Sequence, residues 1–192
     1  MPRVDNANAR RAILQAAEDL IRTHGARGIT VDAVAKQAGC AKGLVHYHYK
    51  TKKGLLEAVA RHVAEERTKR WQSAFKAPTP RESIDQSWSL LTQESADGHL
   101  TAWLSLFEAG GLLPDQTVSD AYASFAETLG AAVTDMMEGL GLRLTIPLNE
   151  VGWHLGSVVN GMGLQLLSGA DRDALEGAYA AAWLGVLSLG SA

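Results

Sequence analysis

The chain has 192 residues, 20% charged and 46% apolar, with a net charge of −3; this composition is ordinary for a soluble globular protein, so disorder is not the default, and the length allows one large core or two small ones. No stretch reaches the roughly 20 apolar residues of a membrane span, Met1–Ala9 is polar and lacks a signal-peptide core, and a lone cysteine, Cys40, excludes an internal disulfide or thiolate metal cluster. A cytoplasmic protein is therefore expected. The modest net charge conceals an asymmetry: residues 1–76 hold 15 Lys and Arg against 7 Asp and Glu, whereas residues 77–192 hold 3 against 14. Such a split predicts that only the N-terminal end meets a polyanion, unless the charge merely solvates the surface.

Helical periodicity dominates, and no window alternates long enough for a convincing strand. A first helix is expected over Ala9–His24, with Ile13, Ala16, Ala17, Leu20 and Ile21 on one stripe and Gly25 as its stop. Thr30 suits the N-cap of a second helix, Val31–Ala38, whose first turn holds Asp32. Gly39-Cys40-Ala41 breaks that helix, a third follows over Lys42–Tyr49, and Lys50-Thr51-Lys52 turns the chain into a long fourth helix, Lys53–Phe75. Ala77-Pro78-Thr79-Pro80 is the clearest punctuation, since proline ends a helix. Five more helices are predicted over Arg81–Ser95, His99–Leu112, Pro114–Gly139, Leu148–Leu167 and Arg172–Leu189. The expected fold class is all-α, with about nine helices.

Ala35, Gly39 and Val45 have the spacing of a helix-turn-helix. A small residue lets the two helices approach, a glycine can turn left-handed, and an apolar residue locks the second helix. That spacing alone is weak, because many helical hairpins satisfy it. The outer residues strengthen it. Lys42 and Gly43 open the third helix, His46, Tyr47 and His48 follow, and Lys50, Lys52 and Lys53 come next. Cations interleaved with amphipathic rings suit a phosphate backbone; the alternative is a solvated basic surface with aromatic packing.

Three segments together carry a resemblance. They are Ile13–Gly25, with its AAE-x-L pattern, Ile29–Gly39, with T-V-x-x-V-A-x-x-A-G, and Lys42–Leu56, with K-G-x-x-x-Y-H and K-x-x-L-L. In this order they resemble the N-terminal domain of the TetR family of regulators, over about a quarter of the chain. The resemblance implies an N-terminal three-helix helix-turn-helix domain, residues 1–55, followed by a helical effector-binding and dimerisation domain, residues 56–192. It implies phosphate contacts for Thr30, Tyr47 and Lys52, and places Lys42, Gly43, Leu44, His46 and His48 on or near the major-groove face. Three residues depart from the family pattern: Ala41 where Ser or Thr is common, Leu44 where Thr is frequent, and His46 where Tyr is common. Leu44 exchanges a polar contact for an apolar one to a thymine methyl.

The C-terminal half carries fewer signals. Trp88, Trp103, Phe107, Tyr122, Phe125, Met137 and Trp153 disperse large side chains over several helices, with Asn160 as a polar neighbour. They are candidates for lining an effector cavity, against the alternative of an ordinary helical core. Glu108 follows the apolar Leu100, Trp103, Leu104 and Phe107; facing inward it would favour a cationic ligand, facing outward it is a solvated boundary carboxylate. The last two predicted helices contain Gly152, Gly156, Gly161, Gly163, Gly177 and Gly185, too many for isolated helices, so close tertiary contact must stabilise them. In proteins resembling this one these two helices build an intersubunit four-helix bundle, which implies a homodimer on a palindromic operator.

The resemblance thus implies a repressor with double-stranded DNA, a small-molecule effector and a second copy of itself as partners, released from DNA by the effector. The competing reading is a DNA-binding architectural protein without an effector. No cofactor, metal or membrane partner is expected. His46 and His48 lie two apart, on different sides of a helix, so one ion cannot readily bridge them. A catalytic role finds no Glu-x-x-His pair, Gly-x-Ser-x-Gly elbow or phosphate-binding loop. Cys40 is read as a packing residue.

Overall fold

The computed structural model describes residues 6–108, 113 and 115–191. Nine helices are present among them: α1 (Asn6–His24), α2 (Val31–Gln37), α3 (Lys42–Tyr49), α4 (Lys52–Ala74), α5 (Pro80–Asp97), α6 (His99–Glu108), α7 (Asp115–Gly139), α8 (Leu148–Leu167) and α9 (Arg172–Leu187). The all-α class is as expected, and α3 and α8 occupy the predicted residues. The predicted end of the sixth helix, 109–112, and the Glu108 side chain lie outside the described residues.

The chain divides into two compact units, Met1–Val63 with Gly98–Ser119, and Ala64–Asp97 with Asp120–Ala192. In the first, α1 packs on α2 and α6, and α2 on α3. Ile13, Ala16, Ala17 and Ile21 of α1 are buried, at the i, i+3, i+4, i+8 spacing of one helix face, and meet a core completed by Val34, Ala35, Val45, Leu55 and Val59. Each Ile or Val so removed from water contributes about 1.5–3 kcal/mol. Leu100, Trp103 and Leu106 of α6 are also buried. Glu18 is a buried carboxylate on α1, with His62 Nε2 at 3.2 Å and His99 Nε2 at 3.6 Å.

The second unit is built around aromatic side chains. Trp71, Phe125 and Trp183 are fully buried; Phe125 meets the Trp71 ring edge-on at 5.3 Å, and Phe75 lies 5.3 Å from Trp183. Tyr179 packs beside Trp88 at 5.4 Å and donates its hydroxyl to Ser87 Oγ at 2.8 Å; burial pushes its pKa up to about 12. The α8 helix packs on α5 and α9, and α9 on α5. The sequence did not predict the antiparallel pairing of Arg143–Leu144 with Gly190–Ser191, nor the 3-10 turn at Ala26–Gly28. Two residues per strand are too few to leave an alternation that periodicity could detect.

Candidate nucleic-acid interface and the effector-side residues

Local chemistry fixes the helix-turn-helix. Thr30 has extended backbone angles and its Oγ1 accepts from Ala33 N at 3.1 Å, the expected N-cap. This use of the oxygen leaves the hydroxyl hydrogen available as a donor. Gly39 adopts φ +62, the left-handed turn for which glycine was expected. Val45 and Tyr49 of α3 are buried, and Tyr49 donates its hydroxyl to the Arg10 carbonyl at 3.1 Å, tying α3 to α1.

With Val45 and Tyr49 turned inward, α3 presents Lys42, Gly43, His46 and Tyr47 to solvent. Tyr47 is 61% exposed, and the Lys50 ammonium sits 5.5 Å from its ring centre. His46 donates from Nδ1 to the Lys50 carbonyl at 3.3 Å, so in the neutral ring Nε2 is an outward acceptor. Leu44 and His48 are half-buried, and His48 Nε2 is enclosed. The eight predicted DNA contacts therefore separate: Thr30, Lys42, Gly43, His46, Tyr47 and Lys52 are exposed, whereas Leu44 and His48 also serve packing. Ala41 caps α3 without a side-chain hydrogen bond, as the missing hydroxyl requires.

Sequence reasoning treated Asp32 only as a helix-dipole residue. In the structure its carboxylate holds the Lys42 ammonium across the turn, with Nζ 2.9 Å from Oδ1 and 3.0 Å from Oδ2. The junction after α3 is also unusual. Lys50 has φ 60 and ψ −52, and Thr51 N donates to the Tyr49 carbonyl at 2.6 Å, closing a strained γ-turn. Thr51 Oγ1 then accepts from Gly54 N at 3.0 Å and caps α4.

On the effector side, the eight predicted residues divide between the units. Trp103 and Phe107 belong to the first and contact each other edge-on at 5.3 Å. The other six belong to the second. Tyr122 stacks on Trp153 at 4.7 Å, and Trp153 is 45% exposed. Trp88, Phe125 and Met137 are buried. Asn160 Oδ1 accepts from Arg67 Nη1 at 3.3 Å.

Arg67 was missed. Its side chain is fully buried, pairs with Glu94 at 3.0 Å, and lies 4.3 Å above the Phe125 ring centre. Glu94 also accepts from Arg70 at 3.0 Å and from Trp71 Nε1 at 3.2 Å. Burial lowers the Arg67 pKa, against the opposing pull of Glu94. Its partners lie 27 and 93 residues away, beyond the reach of a local pattern. Among the described residues, no group of three or more His, Cys, Asp or Glu could hold a metal ion, and no helix is long and apolar enough to cross a membrane.

Comparison with known proteins agrees with this geometry. The family described as "Bacterial regulatory proteins, tetR family" matches residues 13–59, which contain the whole helix-turn-helix and the start of α4. The HTH-type transcriptional repressor AcnR of Corynebacterium diphtheriae is 25% identical over 185 residues, 92% of each chain. The fold matches that of a TetR-family transcriptional regulator from Rhodococcus sp. with a TM-score of 0.80 at 21% identity, covering 94% of this chain and 99% of that one. It also matches a transcriptional regulator from Saccharomonospora viridis, crystallised in complex with choline, with a TM-score of 0.69 at 21% identity over 90% and 94% of the two chains. The helix-turn-helix segment, residues 13–59, thus matches the tetR family of bacterial regulatory proteins, and over most of its length the chain is similar to transcriptional regulators that carry the same fold.

Proposed function

We propose that the protein is a dimeric repressor that reads a palindromic operator with α3 and leaves it when a small molecule binds. The observation that carries the DNA-binding part is the outer face of α3: Lys42, Gly43, His46 and Tyr47 are exposed together, with Thr30 and Lys52 exposed at the neighbouring helix starts. Thr30, Tyr47 and Lys52 contact phosphate, and Lys42, Gly43 and His46 reach base edges; Leu44 and His48 contribute through their exposed parts. Tyr47→Phe and Lys52→Ala are expected to weaken binding to any duplex, and Lys52→Ala, which removes a cation, also to lower its salt dependence. Unchanged affinity and salt slope in both variants would overturn this assignment.

The dimer reading rests on the second unit. Leu164, Leu167 and Leu184 are exposed large apolar residues of α8 and α9, and a side chain added at Gly161, Gly177 or Gly185 would meet nothing. Between these helices lies an apolar groove of about 520 Å³, lined by residues that include Val151, Val158, Ala182 and Val186. A second copy related by a two-fold axis would cover such a face. The effector reading is supported by the ligand-bound neighbour and by the Tyr122–Trp153 stack, with Trp153 partly exposed; Asn160, held by Arg67, is a further candidate on the same unit. Trp88, Phe125 and Met137 complete the candidate set of the second unit, and Trp103 and Phe107 are a separate candidate pair in the first. A ligand reverses a 1:99 population to 99:1 only by preferring one state by about 5.5 kcal/mol.

A further inference from the structure

Asp32 is the sole acidic residue between Asp19 and Glu57, a stretch that holds seven Lys and Arg. An exposed carboxylate on a face that meets phosphate repels it, so its presence there calls for a reason. Two physical roles converge on it. It lies in the first turn of α2, where the helix dipole favours a negative charge. It also grips Lys42, the first residue of α3, with both oxygens within 3.0 Å; without it that ammonium would face the positive end of the α3 dipole unaided. The Lys42 and Asp32 side chains remain 54% and 70% exposed, so the pair is weak enough to be exchanged.

We propose that Asp32 is a specificity-determining residue for DNA. It rests on α3 being the DNA-reading helix. Away from the target sequence, the carboxylate occupies the Lys42 ammonium and removes that cation from indiscriminate phosphate binding. At the target, a correctly placed base edge or phosphate takes the ammonium over. Asp32 therefore lowers affinity for every sequence but lowers it most for the wrong ones, the usual way a repulsive group sharpens selectivity.

The test uses the full chain and a fluorescent duplex of arbitrary sequence, titrated by anisotropy over a range of salt concentrations. Asp32→Asn, which keeps the shape and removes the charge, should bind this duplex about three- to tenfold more tightly, with a log–log salt slope steeper by about 0.9, one phosphate contact. Asp32→Ala should behave alike. Lys42→Ala should abolish the gain in the Asp32→Asn background, so that the double variant binds the arbitrary duplex no more tightly than Lys42→Ala alone. On duplexes enriched by the parent protein from a random pool, Asp32→Asn should show a smaller ratio of selected to arbitrary affinity. Unchanged or weaker arbitrary binding by both Asp32 variants, with Lys52→Ala still weakening it, overturns the role of Asp32 and leaves α3 as the reading helix. If Lys52→Ala and Tyr47→Phe also change nothing, the α3 reading fails and Asp32 falls with it.

Discussion

Among the described residues, Lys50 alone combines a side chain with a positive φ, and the strain it carries shapes the exit from α3. Its γ-turn drives the Tyr49 carbonyl towards α4, where a Cβ at position 54 would stand 2.5 Å from that oxygen. Gly54 is thus required by close approach, although it lies in a helix. Alanine normally stabilises a helix interior by about 1 kcal/mol relative to glycine. Here the sign should reverse: Gly54→Ala is expected to lower stability by about 1–3 kcal/mol, whereas Lys50→Gly should raise it by about 1 kcal/mol by relieving the turn. Urea denaturation of the two variants decides between propensity and this contact. Neither residue was legible beforehand, because Lys50 reads as a cation in a basic turn and Gly54 falls on an unspecified position of the K-x-x-L-L pattern. Thr30 and Gly39 were legible, since each answers a local backbone requirement that does not depend on distant partners.

The helices were readable to the extent that their own sequence punctuates them. The α3 ends follow from Gly39 on one side and the Lys50 turn on the other, and those of α8 from Pro147 and Ser168-Gly169. Their partners were not readable. α4 has no clean apolar stripe, because Arg67 points inward among residues that suggest a surface helix. The reason lies on α5, which supplies Glu94, and on α8, which supplies Asn160. Glu94 neutralises the buried guanidinium and receives Arg70 and Trp71 as well. Glu94→Gln should therefore cost about 3–5 kcal/mol, the usual penalty for stranding one partner of a buried pair. The double change Arg67→Met with Glu94→Leu should cost clearly less than the two single changes added together, a non-additivity measurable in the same denaturation experiment.

At the scale of the whole molecule, the charge split and the uncovered apolar face assign different work to the two ends of the chain. Fifteen of the 18 Lys and Arg precede position 77, in the part of the chain that contains α3, and the exposed Leu164, Leu167 and Leu184 belong to the last two helices. Leu184, 64% exposed, is the sharpest test of the second assignment. Leu184→Glu should convert a dimer to a folded monomer by sedimentation velocity, with helicity retained; a parent chain that sediments as a monomer would contradict the dimer.

The central claim, that α3 reads DNA as part of a two-fold assembly, is tested most directly by selecting duplexes from a random pool with the purified protein and sequencing them. The enriched sites should be inverted repeats, with half-site centres one helical turn, roughly 34–36 Å, apart or more, and Lys52→Ala should bind them weakly. A failure to enrich any sequence, or an enriched motif without two-fold symmetry that Lys52→Ala binds as tightly as the parent, would contradict it.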